Sequence, residues 1–255
     1  MTVHELYTFL NEKIPTALSC DWDNDGLMCC PDGERKVSRV LVALDITAAV
    51  VEEAIAGDYD VILSHHPLIF RPLKALNSYD PVAKKVIRLM QSGIAAMSFH
   101  TRLDAVVGGV NDTLAAALQL SDVIPFGENG EEIGRVGTLS APMALCEFAE
   151  RVKAVTGAPC VQVADAGRTV SRVALLGGGG SGDADAARAC GADTYLTGEL
   201  KHNQLTDAPE YGMNLIAAGH FYTENLICIR LCELALEADP KLEIYITNSN
   251  AVRFI

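Results

Sequence analysis

Apolar runs of strand length alternate with amphipathic stretches of helix length along almost the whole chain. This alternation constrains the fold more than any other feature. RVLVALDI (39–46) leads into TAAVVEEAIAG, and DVILS (60–64) is followed after a loop by DPVAKKVIRLMQSG. IAAMSF (94–99) runs through a loop into NDTLAAALQL, where Asn111 or Asp112 is suited to cap a helix. The rhythm predicts an α/β fold with mainly parallel sheets.

A polar, glycine-rich interval, PFGENGEEIGR (125–135), interrupts the pattern and is expected to separate a pair of linked α/β lobes. The first lobe is expected over 1–125 with about 220–255, and the second over 126–219. Within the second fall VGTLS, the helical stretch APMALCEFAERVKAVTG and strands near 160–164 and 172–176. YTENLICIRLCELALEA (222–238) predicts one long helix with an apolar stripe at Leu226, Ile229, Cys232 and Leu236. A last strand, KLEIYIT, is expected to return to the first lobe.

With 255 residues, 49% of them hydrophobic and 21% charged, the chain can bury a real core, which excludes disorder and fibre. A net charge of -13 repels phosphate backbones and disfavours DNA as a partner. The eight cysteines show no C-x-x-C spacing and mostly have apolar neighbours, as reduced, buried thiols of a cytosolic protein do. The N-terminal stretch lacks a leader's apolar region, and no run has the ~18 apolar residues of a membrane span, so a soluble, cytoplasmic protein is expected.

Strand ends carry the chemistry, because in open α/β sheets ligand sites gather where loops leave the carboxyl ends of strands. His65 and His66 end DVILS, and Pro67 breaks the strand so that both imidazoles can face one site. They read either as ligands of borderline divalent metals or as a hydrogen-bonded pair in a packed turn. SFHTRLDAVVGGVND places His100 and Asp104 after the next strand, with an Asx turn as the plainer use of Asp104. NLIAAGHFYTENLICI places His220 and Glu224 four apart on one side of a helix start, where Glu224 could also serve as a solvated acid. Three such strand ends together favour His65, His66, Asp104, His220 and Glu224 as ligands. Five side chains with two carboxylates exceed the need of one tetrahedral zinc, so two divalent ions between the lobes are the economical expectation.

Gly177, Gly179 and Gly182 in LLGGGGSGD satisfy a dinucleotide-binding G-x-G-x-x-G pattern, yet a run so rich in glycine satisfies many templates. The loop reads equally as an anion cradle or a tight strand-to-helix turn. Trp22, the only tryptophan, lies among Asp21, Asp23 and Asp25 and serves either to stack on a ligand ring or to pack in a core or subunit contact. Lys201 and His202 either steady an anion or open an exposed helix.

The ordered set DWDNDGLM (21–28), LVALDIT (41–47), SHHP (64–67), HTRLDAVVGGVND (100–112), TGELKH (197–202) and GHFYTE (219–224) resembles the dinuclear-metal proteins called GTP cyclohydrolase 1 type 2, or NGG-one-interacting-factor-3-like proteins, over essentially the whole chain. The resemblance implies two divalent ions (zinc, iron, manganese, cobalt or nickel) held by His65, His66, Asp104, His220 and Glu224. Glu224 would then bridge, and His100 or Glu199 would move protons. It further implies a homohexameric ring and a small-molecule, nucleotide substrate, GTP by the family label. A non-catalytic metal-handling or scaffold ring is the alternative. Relatives commonly have a second histidine where this chain has Asn203.

Overall fold

In a computed structural model, residues 1–127 and 132–252 are described; 128–131, inside the glycine-rich interval, and 253–255 lie outside the described residues. The chain opens with α1 (Val3–Lys13), β1 (Gly26–Cys29), β2 (Arg39–Ala43), α2 (Ala48–Ala56), β3 (Val61–Ser64), α3 (Pro81–Ser92), β4 (Ala95–Ser98) and α4 (Thr101–Ala105). It continues through α5 (Val110–Ala117), β5 (Ser121–Phe126), β6 (Gly134–Met143), α6 (Leu145–Thr156), β7 (Gln162–Ala164), β8 (Val170–Leu176) and α7 (Ala184–Ala189). Then come β9 (Thr194–Thr197), α8 (His202–Asp207), β10 (Asn214–Ala217), α9 (His220–Glu224), α10 (Ile227–Ala238) and β11 (Glu243–Ile246). Two compact units result: Met1–Val106 with Ile227–Ala251, and Val107–Leu226 with Val252.

In the first unit the strands run in the order β1-β4-β3-β2-β11. All pairings are parallel except that of β1 with β4. β3 and β4 are buried along their length, as strands covered on both faces must be, which is why VILS and AAMS are apolar without alternation. Thr2 and Glu5 form a capping box on α1, and Thr47 caps α2. Asp80 accepts from Val82 and Ala83 to start α3, with Pro81 in its first turn; Gly93, at φ 71°, ends it in the left-handed conformation. Leu41, Ile62, Val50, Leu89 and Ala96 lie in one core cluster of this unit.

The second unit holds a sheet of order β5-β6-β8-β9-β10-β7. It is mixed: β8, β9 and β10 pair in parallel, whereas β5, β6 and β7 join antiparallel. The period of two is visible in its core. Val173, Leu175, Leu196 and Ile216 pack on one face with α5 and α6, while Ala174, Leu176, Tyr195 and Leu215 pack on the other.

Three local expectations are corrected. α5 begins after Gly109 without a side-chain cap: Asp112 instead accepts the Gly108 N–H and the Arg135 guanidinium, and the fully buried Asn111 serves another loop. The long helix of 222–238 is two helices, and the buried face of the second is Ile227, Cys228, Leu231, Leu234 and Ala235. Ile229 and Leu236 are exposed, on nearly the opposite side. The helix is apolar on both sides, and the side that meets the rest of its unit is the one carrying Ile227, Leu231 and Leu234. Finally, no disulfide links the eight cysteines, but only Cys29 and Cys228 are buried. Burial pushes Cys29 up to about 11 and Cys228 up to about 12, which removes both as thiolates at neutral pH.

Asp60, just before β3, is a buried knot in the first unit. It accepts the backbone N–H groups of Ser38 (2.8 Å) and Arg39 (3.0 Å), the Ser38 hydroxyl (2.9 Å) and the Arg35 guanidinium (2.8 and 3.0 Å). Burial pushes its carboxyl up, but these donors outweigh it and hold the group below the usual carboxylate range. A folded value below the unfolded one, about 3.9, means that this stabilisation is present above the unfolded value and lost as pH falls through the folded one. Asp60→Asn is expected to cost about 1–3 kcal/mol at neutral pH. Urea unfolding should show the difference from the parent shrinking in acid.

Candidate metal centre

Adjacent parallel strands of the first unit deliver their side chains at their carboxyl ends. Asp45 follows β2, His65 and His66 follow β3, and His100 follows β4, with Asp104 one turn on in α4. The candidate ligand atoms of His65, His66 and His100 lie within 4.8 Å of one another. The His65 and His66 rings stand 4.8 Å apart, so the break at Pro67 does turn neighbouring residues toward one site. His65 Nε2 is 3.6 Å from Asp104 Oδ1.

Each imidazole is held from behind by its other nitrogen. His65 Nδ1 meets the Phe99 carbonyl at 2.9 Å, His66 Nδ1 meets Asp45 at 2.7 Å, and His100 Nδ1 meets Asp23 at 2.8 Å. Carbonyl and carboxylate oxygens only accept, so Nδ1 carries the proton and Nε2 offers its lone pair. That is the tautomer in which Nε2 can bind a metal. Asp23 also accepts the Thr101 N–H at 3.0 Å and its hydroxyl at 2.6 Å. Burial would raise the Asp23 carboxyl, but the hydrogen bonds from His100 and Thr101 prevail and hold it well below the usual range.

Asp25 accepts the His100 backbone N–H at 3.0 Å and the Arg102 Nε at 2.9 Å. Arg102 is fully buried, stacks its guanidinium over Phe99 and also donates to the Ile14 carbonyl. The turn that carries His100 and Asp104 is thereby pinned to the DWDND segment.

In the second unit the sites are again strand exits: Gly177–Gly179 after β8, Gly198 and Glu199 after β9, and His220 and Glu224 on α9 after β10. His220 Nε2 lies 3.1 Å from Glu224 Oε2, and His220 Nδ1 lies 3.1 Å from Glu199 Oε1. Glu224 is only 5% exposed. Glu199 thus backs His220 as Asp45 backs His66. A cavity of about 630 Å³ lies beside it, lined in part by Glu199, His220, Phe221, Tyr222 and Cys160.

The glycine run is explained by close approach. Gly178 sits at φ 65°, and a Cβ there would lie 2.0 Å from Glu224 Oε1 and 2.9 Å from His220 Nε2. A Cβ on Gly198 would lie 2.8 Å from His220 Cα. The Gly177 N–H is taken by Asn111 Oδ1 and the Gly178 N–H by Thr223 Oγ1, so these amides already have acceptors other than a pyrophosphate. Lys201 and His202 are exposed at the start of α8.

The first unit therefore brings together His65, His66, His100 and Asp104, and the second His220, Glu224 and Glu199. Reading the sequence for ligands missed the supporting residues Asp45, Asp23, Asp25, Asn111 and Thr223. Asp45 had a signal, an acid directly after a buried apolar strand. Asn111 and Thr223 had none, since both support through backbone amides of distant glycines.

The donor set suits a borderline divalent ion, with neutral imidazoles fixed in one tautomer and nearby carboxylates. No helix among the described residues is long and apolar enough to cross a membrane.

The profile of the family described as Duf34/NIF3 (NGG1p interacting factor 3) matches residues 1–251. A Nostoc protein named GTP cyclohydrolase 1 type 2 homolog is 37% identical over 91% of this chain and 90% of its own. A Clostridium perfringens protein of the same name is 31% identical over 93% and 92%. A solved Bacillus cereus structure, described as a protein related to NIF3, superposes with a TM-score of 0.90 over 100% of this chain and 99% of its own, at 23% identity.

Proposed function

We propose that this chain, which belongs to the Duf34/NIF3 (NGG1p interacting factor 3) family, is a metal-dependent hydrolase in which His65, His66, Asp104, His220 and Glu224 hold two divalent ions. The observation that carries the reading is that His65 and His66 have Nδ1 tied to oxygens, as the back of a metal-binding imidazole is, and that His220 stands between Glu199 at Nδ1 and Glu224 at Nε2. Bound there, the ions would supply Lewis acidity and bring the pKa of a water toward neutrality.

The chain's own residues do the rest. Asp104 and Glu224 would hold the ions and supply the negative charge that offsets them, with Glu224 as the carboxylate they would share. His100, adjacent to His65 and His66 and fixed through Asp23, holds and passes a proton at Nε2. Glu199 holds His220 at Nδ1 and lines the adjoining cavity, from which it can also take a proton.

The substrate this reading assigns is GTP, after the name carried by the Nostoc and Clostridium relatives. The reaction is hydrolytic opening of the purine's imidazole ring with loss of formate, toward dihydroneopterin triphosphate. Six copies assembled as a ring are the expected form, which light scattering of the purified protein checks.

Elemental analysis of protein purified without added metal, paired with a nucleotide hydrolysis screen, tests the proposal. Two divalent ions per chain are expected, with formate released from GTP. His65→Ala and Glu224→Gln should each lower metal affinity by about 10- to 100-fold or more, with loss of turnover. Full metal occupancy with inertness toward every nucleotide would overturn the hydrolase reading in favour of a metal-handling protein.

A further inference from the structure

Large aromatic rings are normally covered, because exposed apolar surface costs about 25 cal/mol per Å². Among the first unit's exposed rings, Trp22 (58% exposed) and Phe70 (45% exposed) stand apart by meeting each other beside the candidate ligands. They stand together, with centroids 6.2 Å apart, and each also faces His100, Trp22 at 6.3 Å and Phe70 at 5.8 Å. The three interplanar angles are 77°, 81° and 85°, so the rings meet as the three walls of a corner. A flat ring laid against any one wall presents its edge to the other two, and both arrangements are favoured between aromatic systems.

The corner is held rigid by polar contacts. Asn24 donates to the Ile69 carbonyl, which links the Trp22 loop to the Phe70 loop. Asp23 holds His100 and Thr101, and the Cys20 N–H donates to Thr101 Oγ1 at 3.0 Å. Loops and an imidazole already held lose little freedom when a ligand arrives, which lowers the entropic cost of binding. Its third wall, His100, lies 5.4 Å from His65 and 5.6 Å from His66, so whatever rests in the corner is one ring away from the candidate ligands.

We infer that Trp22, Phe70 and His100 form a stacking corner for the planar nitrogen heterocycle of the substrate. The corner reads the base, leaving phosphates to other regions of the molecule. Asp21, exposed and adjacent to Trp22 in the chain, adds negative charge to this loop, which disfavours phosphate there. This inference rests on the proposed function for the chemistry that follows binding, but binding itself requires no turnover.

Trp22 is the only tryptophan, so intrinsic fluorescence reports the corner directly. The metal-loaded full-length protein is titrated with guanosine, GTP and inorganic tripolyphosphate. Guanosine and GTP are expected to quench saturably, and tripolyphosphate is not. By equilibrium dialysis, Trp22→Ala and Phe70→Ala should each weaken guanosine binding by about tenfold or more, with metal content and thermal unfolding at parent values. Trp22→Phe, which keeps a ring, should retain most of the affinity.

Absence of saturable quenching by both base-bearing ligands would overturn the inference, as would parent affinity for guanosine in Trp22→Ala. A Trp22→Ala protein whose assembly mass changes while guanosine affinity does not would assign the corner to subunit contact instead, and also overturns it. Guanosine binding without hydrolysis leaves the corner standing and removes the hydrolase reading. Hydrolysis of GTP indifferent to Trp22 does the reverse.

Discussion

Gly178→Ala is expected to lower metal affinity by about 10- to 100-fold or more, although the residue itself offers no ligand atom. Its φ of 65° is a conformation that costs an L side chain roughly 1–2 kcal/mol, and that is the smaller share of the effect. The added Cβ would stand 2.0 Å from Glu224 Oε1 and 2.9 Å from His220 Nε2, closer than any stable non-bonded contact. One or both side chains must turn away. Glu224 has little room to do so, because it is 5% exposed and even a Cβ on the neighbouring Gly177 would stand 3.1 Å from its Cγ. Chelator competition on the purified variant measures the loss. Gly179→Ala is the matched control: nothing lies within 4 Å of its Cβ position, and metal affinity should stay at the parent value. Equal affinity in Gly178→Ala and parent would mean that His220 and Glu224 do not hold a metal together.

The second large effect is on stability. Asp25→Ala leaves the fully buried Arg102 without its carboxylate, and breaking a buried pair in this way typically costs about 3–5 kcal/mol. The Ile14 carbonyl and the Phe99 ring still face the guanidinium, but neither carries a countercharge. The same change removes the acceptor of the His100 backbone N–H, so the turn bearing His100 and Asp104 loosens as the fold weakens. Urea unfolding followed by Trp22 fluorescence reports the destabilisation. Asp25→Ala with Arg102→Met should recover some of the loss, because an apolar side chain can occupy the site without a partner. A double variant no more stable than Asp25→Ala alone would argue that the pair acts through loop geometry and not through charge.

Much of this was legible from residue order. Buried parallel strands declare themselves by unbroken apolar runs, and the exits of β3, β4 and β10 could be located because His65, His66, His100 and His220 follow directly after such runs. What stayed hidden has two causes. Strand direction in the second unit is set by pairing partners, and nothing in QVA or GRVGTLSAPM says that β7 and β6 run against β10 and β8. The residues that hold the imidazoles act across long separations: Asp23 reaches His100, and Thr223 reaches Gly178. A short polar residue in a loop looks the same whether it meets water or a distant amide. The stripe on α10 failed for a third reason, since a helix apolar on two sides does not announce which one will be covered.

The pairing of β2 with β11 joins residues about two hundred positions apart, Val40 with Ile244 and Val42 with Ile246, while the second unit is nearly continuous in between. During synthesis the inner unit, all but its Val252 end, leaves the ribosome before β11 does. The outer one must wait with β2 unpaired on one edge until the final strand emerges. A chain stopped after Leu226 would thus carry an outer sheet with β2 left open, the kind of edge that recruits strands from other molecules.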